Sequence, residues 1–367
     1  MTLESIIIAA YIISLTILFF FGSHGFNMIY YYFKTFHMRT EDLKVEDFFM
    51  KEYPVVTVQI PLYNEQYVIT RLIDSVIRLD YPKDKLEIQI LDDSTDETTE
   101  IITDHIKKYI DSGYDVKHIH RTNREGFKAG ALKIGLETAR GEFVAVFDAD
   151  FIPRKKFLKR TIPYFYKEEK LGLVQTRWEH LNREYSLMTK TQAIALDGHF
   201  VIEQAVRNRA GFFINFNGTG GVWRKECIFD AGNWEADTLT EDLDLSYRAQ
   251  MKGWKFKYLV NFTSPAELPS DVGALKSQQF RWTKGAIETA KKIYPKVLRS
   301  DMSFKLKVQS FIHLYSNLAY PFILMAALLN LPVMLIKLSG QYDAVFKFMS
   351  LFIFAFISSF IFYLLIL

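Results

Sequence analysis

The sequence predicts an α/β domain with a largely parallel sheet, inserted between membrane-spanning α-helices. Three observations carry that expectation. Short β-branched runs alternate with stretches of helical spacing from Pro54 to about Gly253, as in a parallel sheet flanked by helices. Acidic clusters fall at the ends of those runs, where open α/β sheets bind ligands. The apolar excess, 49% of 367 residues with 32 Phe, is concentrated at the two ends of the chain.

Ile6 to Phe21 is apolar except for Ser14 and Thr16, and the run continues weakly through Phe33. A bilayer-spanning helix needs roughly 20 residues. Glu4 is the only charge before the run and no small-residue cleavage site follows, so residues 1–33 read as a retained helix rather than a cleaved leader. Lys34, His37 and Arg39 place its C-terminal end in the cytoplasm.

Val55 to Ile60 reads as a strand entering the turn Pro61-Leu62-Tyr63-Asn64-Glu65, and Gln66 to Arg78 as a helix. Leu86 to Leu91 is a second strand, ending at Asp92-Asp93-Ser94. Thr98 to Ile110 is helical, Val116 to His120 a third strand, and Ala129 to Ala139 helical again. Phe143 to Phe147 is a strand ending at Asp148, and Leu243 to Met251 is a helix. Residues 50–260 therefore form the expected catalytic unit. Residues 261–310 read as amphipathic interfacial helices, and 311–367 as two further spans, about Phe311 to Ile336 and Phe346 to Leu367. The chain stops inside the last run, which leaves open whether more spans follow.

A net charge of +3 is too small to argue for nucleic acid. The single Cys227 excludes an intrachain disulfide, fits a reducing cytoplasm and reads as a buried thiol.

Asp148 and Asp150 stand two apart at a strand end, so extended backbone would turn both carboxylates to one side. Hard oxygen ligands with vacancies for phosphates suit Mg2+ or Mn2+; the alternative is a solvated turn. Asp92 and Asp93 offer acceptors for base and ribose, or an N-cap for the next helix. Asn64 and Glu65 sit at the first strand's end and would line the same pocket. Lys128, between Gly126 and Gly130, would face a diphosphate or lie on the surface. Thr240-Glu241-Asp242 opens a helix with Thr240 as N-cap. The helix dipole there favours ionised Asp242, as a general base requires; Asp244 is explained by dipole complementarity alone. Asn217-Gly218-Thr219-Gly220-Gly221 is a flexible loop suited to backbone contact with a sugar chain, or a plain turn. From Lys276 to Arg299, seven basic residues stand against the single acid Glu288, with apolar residues interleaved. That pattern suits a cytoplasmic membrane surface. Within it Arg281 suits a diphosphate and Trp282 a sugar ring or an interfacial anchor. His118 and His120 read as ordinary strand residues.

Together, Asp92-Asp93, Asp148-x-Asp150, Thr240-Glu241-Asp242 and Gln278-x-x-Arg281-Trp282 resemble the cellulose synthase superfamily of family 2 glycosyltransferases over about residues 50 to 340. The wording around Gln59-Ile60-Pro61, Leu91 to Asp96, Lys128 to Leu132, Phe147 to Phe151 and Phe216 to Thr219 is similar to the plant cellulose-synthase-like mannan and xyloglucan-backbone synthases. The resemblance implies a GT-A domain and inversion at the anomeric carbon. It places Asp92 or Asp93 on the nucleoside, Asp148 and Asp150 on nucleotide and metal, and Asp242 as base beside Thr240 and Glu241. Gln278 and Arg281 fall on the donor diphosphate, Trp282 beneath the acceptor, and Phe216, Asn217, Gly218 and Thr219 on the acceptor side. It implies a processive, multi-pass enzyme of the cell or an internal membrane, with its catalytic domain in the cytoplasm. Such an enzyme polymerises from UDP-glucose or GDP-mannose, translocates a growing β-linked glucan, mannan or glucomannan, and works beside an accessory export subunit. The family usually carries more C-terminal helices than the two counted here. The competing readings are a non-processive transferase acting on a lipid and a non-catalytic nucleotide-sugar-binding export subunit.

Overall fold

The computed structural model describes residues 2–40, 52–340 and 342–352, with 357, 358, 361 and 364. After α1 (Leu3–Lys34), the chain alternates β1 (Val56–Leu62), α2 (Ile69–Ile77), β2 (Leu86–Asp92), α3 (Thr98–Asp111), β3 (Asp115–His120), α4 (Phe127–Thr138) and β4 (Phe143–Val146). It continues through α5 (Phe157–Thr161), α6 (Pro163–Lys167), β5 (Leu171–His180), α7 (Leu187–Asp197), α8 (Ala205–Arg209), β6 (Gly221–Arg224), α9 (Lys225–Asp230), α10 (Glu241–Met251) and β7 (Lys255–Ala266). The last helices are α11 (Val272–Arg299), α12 (Phe304–Tyr315), α13 (Ala319–Leu338) and α14 (Asp343–Met349).

The strands form one sheet in the order β3-β2-β1-β4-β6-β5-β7. The largely parallel sheet expected from the alternation is mixed: β6 is antiparallel to both β4 and β5. Its reversal has a local cause. The loop before β6 passes the carboxyl end of β4, so β6 can only run back into the sheet. Gly220 N–H donates to the Val146 carbonyl at 2.9 Å and closes that junction. β1 and β2 are buried throughout, as strands covered on both faces must be.

One face of the sheet packs Val58, Ile60, Ile88 and Phe147 against Leu72 of α2, Ile102 of α3 and Phe157 of α5. The other packs Val144, Val146 and Trp223 against Leu132 and Leu136 of α4 and Leu245 of α10. On this second face α4 comes very close to the sheet. A methyl group added at Gly135 would lie 2.6 Å from Gln59 Nε2 and 2.8 Å from Leu91 Cδ2.

β7 runs on to Ala266, across the boundary expected at residue 260, and the basic segment is the single 28-residue helix α11. Two stretches, Leu3–Lys34 and Phe304–Leu338, are long and apolar enough to cross a membrane. The second is α12, a short 3-10 turn and α13. Most of the span expected at Phe346 to Leu367 lies outside the described residues. The C-terminal end of α1 is not a free tether. Met28 and Tyr32 are buried against Ile202, Val206 and Phe212, and Gln309 of α12 donates to Asn27 Oδ1 at 2.9 Å.

Gly135→Ala forces α4 off the sheet. Overpacking of this kind costs about 1–3 kcal/mol, so chemical denaturation should show that loss.

Candidate active site

β1, β2 and β4 are neighbouring parallel strands, so their carboxyl ends meet at one edge of the sheet. Four sequence motifs converge there. Lys128, in the first turn of α4, donates from Nζ to Asp148 Oδ1 at 2.5 Å and to the Gly218 carbonyl at 3.0 Å. Asp148 N–H donates to Thr219 Oγ1 at 2.9 Å. A methyl group at Gly218, which has φ +78°, would lie 3.1 Å from Asp242 Oδ2 and 3.4 Å from Lys128 Nζ. Only glycine suits that backbone and that proximity.

The charges do not balance. Burial opposes the charge on Lys128, but Asp148, Glu241 and Asp242 outweigh it and raise its pKa. Burial, then Asp148 and Glu65, push Asp150 up to about 7. Burial, then Glu241, push Asp242 up to about 7 despite Lys128 and the Leu243 N–H. The expectation that the helix dipole keeps Asp242 fully ionised is thus corrected: desolvation and a like charge exceed a dipole term of a few tenths to 1 kcal/mol. Glu65 is raised by burial and by Asp148 and Asp96, with Arg281 opposing.

Too many carboxylates for the cations present is the signature of a site that takes a cation. Asp148 and Asp150 supply hard oxygens at its edge, and the set fits Mg2+ or Mn2+ completed by phosphate and water. Glu235, Asp237 and Asp244 also cluster, but Lys292 Nζ lies 2.5, 2.6 and 3.0 Å from them and takes the central place a cation would fill.

Other expected residues build the site instead of facing it. Asn64 adopts φ +57°. Its N–H donates to Ser94 Oγ and its Oδ1 accepts from Thr95 N–H, both at 2.9 Å, tying the β1 turn to the β2 turn. Asp92 is fully buried and accepts from Ser94 N–H, Thr99 Oγ1, His118 and His120. Burial opposes its ionisation, but His118 and Ser94 outweigh that and hold it well below the usual carboxylate range. Asp93 takes a two-pronged ion pair from Arg121 at 2.6 and 2.5 Å. Neither aspartate carries a free carboxylate for a nucleoside, and neither caps α3, whose N-cap is Glu97. Phe216 is wholly buried against Trp223 and Trp234, so its ring is a core residue and not an acceptor contact. Asn217 Oδ1 accepts from Gln204 and Asn215. Thr240 stands at the N-cap but its hydroxyl pairs with Thr289 at 3.0 Å. Asp244 is buried and paired to Arg248 and Lys292.

Gln278 and Trp282 are half-buried and Arg281 is exposed on the N-terminal part of α11. Trp282 lies 6.4 Å from Trp178, which packs on Phe151 and Phe200. Sequence reasoning missed Trp178, Arg121 and the two histidines. The period-two spacing of His118 and His120 put both on one face of β3, a signal available in the sequence.

Phe216→Ala should lower stability by about 3–5 kcal/mol, read from denaturation, as loss of a buried ring does. Folded Asp150 and Asp242 retain protons that the unfolded chain releases near its ordinary value of 3.8. Without metal and nucleotide, stability should therefore fall as pH rises from about 4 through about 7. Asp150→Asn and Asp242→Asn should each flatten that slope in thermal melts.

The family model described as glycosyltransferase like family 2 matches residues 54–285. The chain is 45% identical over 252 residues to glucomannan 4-beta-mannosyltransferase 1 of Cyamopsis tetragonoloba, covering 68% of this chain and 48% of that protein. It is 42% identical over 245 residues to glucomannan 4-beta-mannosyltransferase 9 of Arabidopsis thaliana, covering 66% and 46%. The chain spans about half the length of these curated relatives. The mannosyltransferase PcManGT from Pyrobaculum calidifontis, solved with GDP-Man and Mn2+, superposes with TM-score 0.64 at 19% identity over 96% of this chain and 97% of that one. That likeness shows the GT-A fold. A match over most of the chain, on top of the Asp148, Asp242 and Arg281-Trp282 motifs, makes this chain a member of the glycosyltransferase 2-like family.

Proposed function

We infer that this chain is a membrane-inserted, metal-dependent mannosyltransferase that extends a β-linked mannan or glucomannan from GDP-mannose with inversion. The observation that carries the reading is that Lys128 Nζ joins Asp148 to the Gly218 carbonyl, with the Asp242 carboxylate packed beside Gly218 and in the field of that ammonium. The mannosyltransferase relatives and the GDP-Man and Mn2+ of the structural neighbour support the choice of donor and metal over UDP-glucose.

Asp148 and Asp150 would hold a divalent cation, which would supply charge neutralisation for the leaving diphosphate. Lys128 and Arg281 add positive charge on the same group, with Gln278 beside them. Asp242 takes the proton of an acceptor hydroxyl; its oxygen forms the new bond to the anomeric carbon as the bond to the diphosphate breaks, and GDP leaves. A base with a pKa near 7 suits that transfer at neutral pH. Trp282 and Trp178 offer aromatic faces to the acceptor, and Gly218 and Thr219 offer backbone. Asp92 and Asp93 act on the nucleoside through the turns they brace.

The apolar stretches Leu3–Lys34 and Phe304–Leu338 support membrane insertion. Lys34, His37 and Arg39 after the first support a cytoplasmic site. Residues 1–33 and 311–367 then form the membrane part around the catalytic unit at 50–260 and α11. Repeated addition with translocation is the expected mode.

The test is a transfer assay on membranes containing the protein, with labelled GDP-mannose and UDP-glucose offered separately. Polymer should form from GDP-mannose with Mn2+ or Mg2+ and vanish with chelator. Asp242→Asn should cost about 10²–10⁴-fold in rate, the range for a lost general base. The wild-type rate should rise with pH through about 7 as Asp242 ionises. Product from UDP-glucose alone would reassign the donor, single-sugar products would remove processivity, and no transfer from either would overturn the reading.

A further inference from the structure

Helix α11 carries Gln278, Arg281 and Trp282, yet those residues do not fix its position. Val272 to Ala274, Lys276, Ser277, Gln279, Phe280 and Arg281 are all exposed. The helix becomes buried only from Gly285 onward. One docking face is Gly285, Glu288, Thr289 and Lys292, spaced three, four and seven residues along one side; beside it Ala290, Ile293 and Val297 pack against Tyr247 of α10 and Leu314 of α12.

Every residue of that face grips the segment around Asp242. A methyl group at Gly285 would lie 2.6 Å from Thr240 Cγ2 and 2.9 Å from Thr240 N, so the two backbones are in direct contact. Leu239 N–H donates to Glu288 Oε2 at 3.1 Å. Thr240 and Thr289 hydroxyls lie 3.0 Å apart. One turn further, Lys292 bridges Glu235, Asp237 and Asp244. Asp244 is completely buried and Arg248 takes its other oxygen at 2.7 Å. Three carboxylates against two cations is an arrangement that fails if Lys292 is removed, because Asp244 would keep a buried charge facing Glu235 and Asp237. The bonds to Asp237, Glu235 and Asp244 outweigh burial and raise the Lys292 pKa, so the clamp stays charged across the working pH range.

We propose that Lys292 is a positioning residue, which through Asp244, Glu235 and Asp237 seats the projecting Arg281-Trp282 end of α11 at a fixed distance from Asp242. This rests on the reading of Asp242 as base and of Arg281 and Trp282 as donor and acceptor contacts. Lys128, Asp148 and Asp150 lie on a different part of the fold and keep their hold on the nucleotide when the Arg281 contact loosens. Loosening the clamp therefore separates binding from turnover.

The experiment compares full-length wild type, Lys292→Met and Lys292→Arg in lipid nanodiscs. Lys292→Met should leave GDP affinity within about twofold while kcat for mannosyl transfer falls about a hundredfold, the scale of an ångström-sized misplacement. Acceptor KM should rise, and Lys292→Arg should restore most of the rate because it keeps the charge. Hydrogen exchange should quicken at 239–244 and 278–289 in Lys292→Met while β1, β2 and β4 keep their protection. Wild-type turnover in Lys292→Met, or GDP binding and rate lost in equal proportion with no rescue by arginine, overturns the proposal. If wild type itself transfers no sugar, the functional reading has failed. The exchange pattern then decides the clamp by itself: local quickening supports it, and uniform loss or no change overturns it.

Discussion

The lysine at the start of α4 is the contact on which the rest of the site depends. Lys128 holds Asp148 and the Gly218 carbonyl together, so one ammonium binds the end of β4 to the loop before β6 and acts through its charge on Glu241 and Asp242 at the N-terminus of α10. It cannot neutralise all the carboxylates around it. Asp150 and Asp242 both respond by holding their protons near neutral pH. The folded protein is electrostatically incomplete at this edge, as perturbed carboxylates at a strand-end cleft mark a candidate functional site.

The frame around Lys128 is rigid because its supporting charges are satisfied elsewhere. Asp92 is locked by two histidines, a hydroxyl and a backbone amide, and Asp93 by Arg121. Buried carboxylates with full sets of donors stiffen a turn, while those without them stay reactive. The same residue type thus performs opposite tasks a few ångströms apart, according to how many donors the fold supplies.

That distinction marks the limit of what was legible in the sequence. Strands β1 to β4 and helices α3, α4 and α10 were legible because β-branched runs and helical spacing reflect local geometry. Asp148, Lys128, Gly218 and Asp242 were legible as separate motifs, but the contacts that bring them together were not. The partners of each side chain were not, since they come from residues far away in the chain: Arg121 for Asp93, Thr289 for Thr240, Trp223 and Trp234 for Phe216. The reversal of β6 was hidden for a related reason. Strand direction depends on where the preceding loop is anchored, and a four-residue strand carries no signal of it.

That anchored loop also affects how the protein can vary. The chain leaves the site at Asp148 and returns at Thr219, where the Asp148 amide meets the Thr219 hydroxyl and Gly220 meets Val146. The long excursion between them is closed at its neck. The connection between β5 and α7 can therefore change in length or composition while the hydrogen bonds that close the neck are kept.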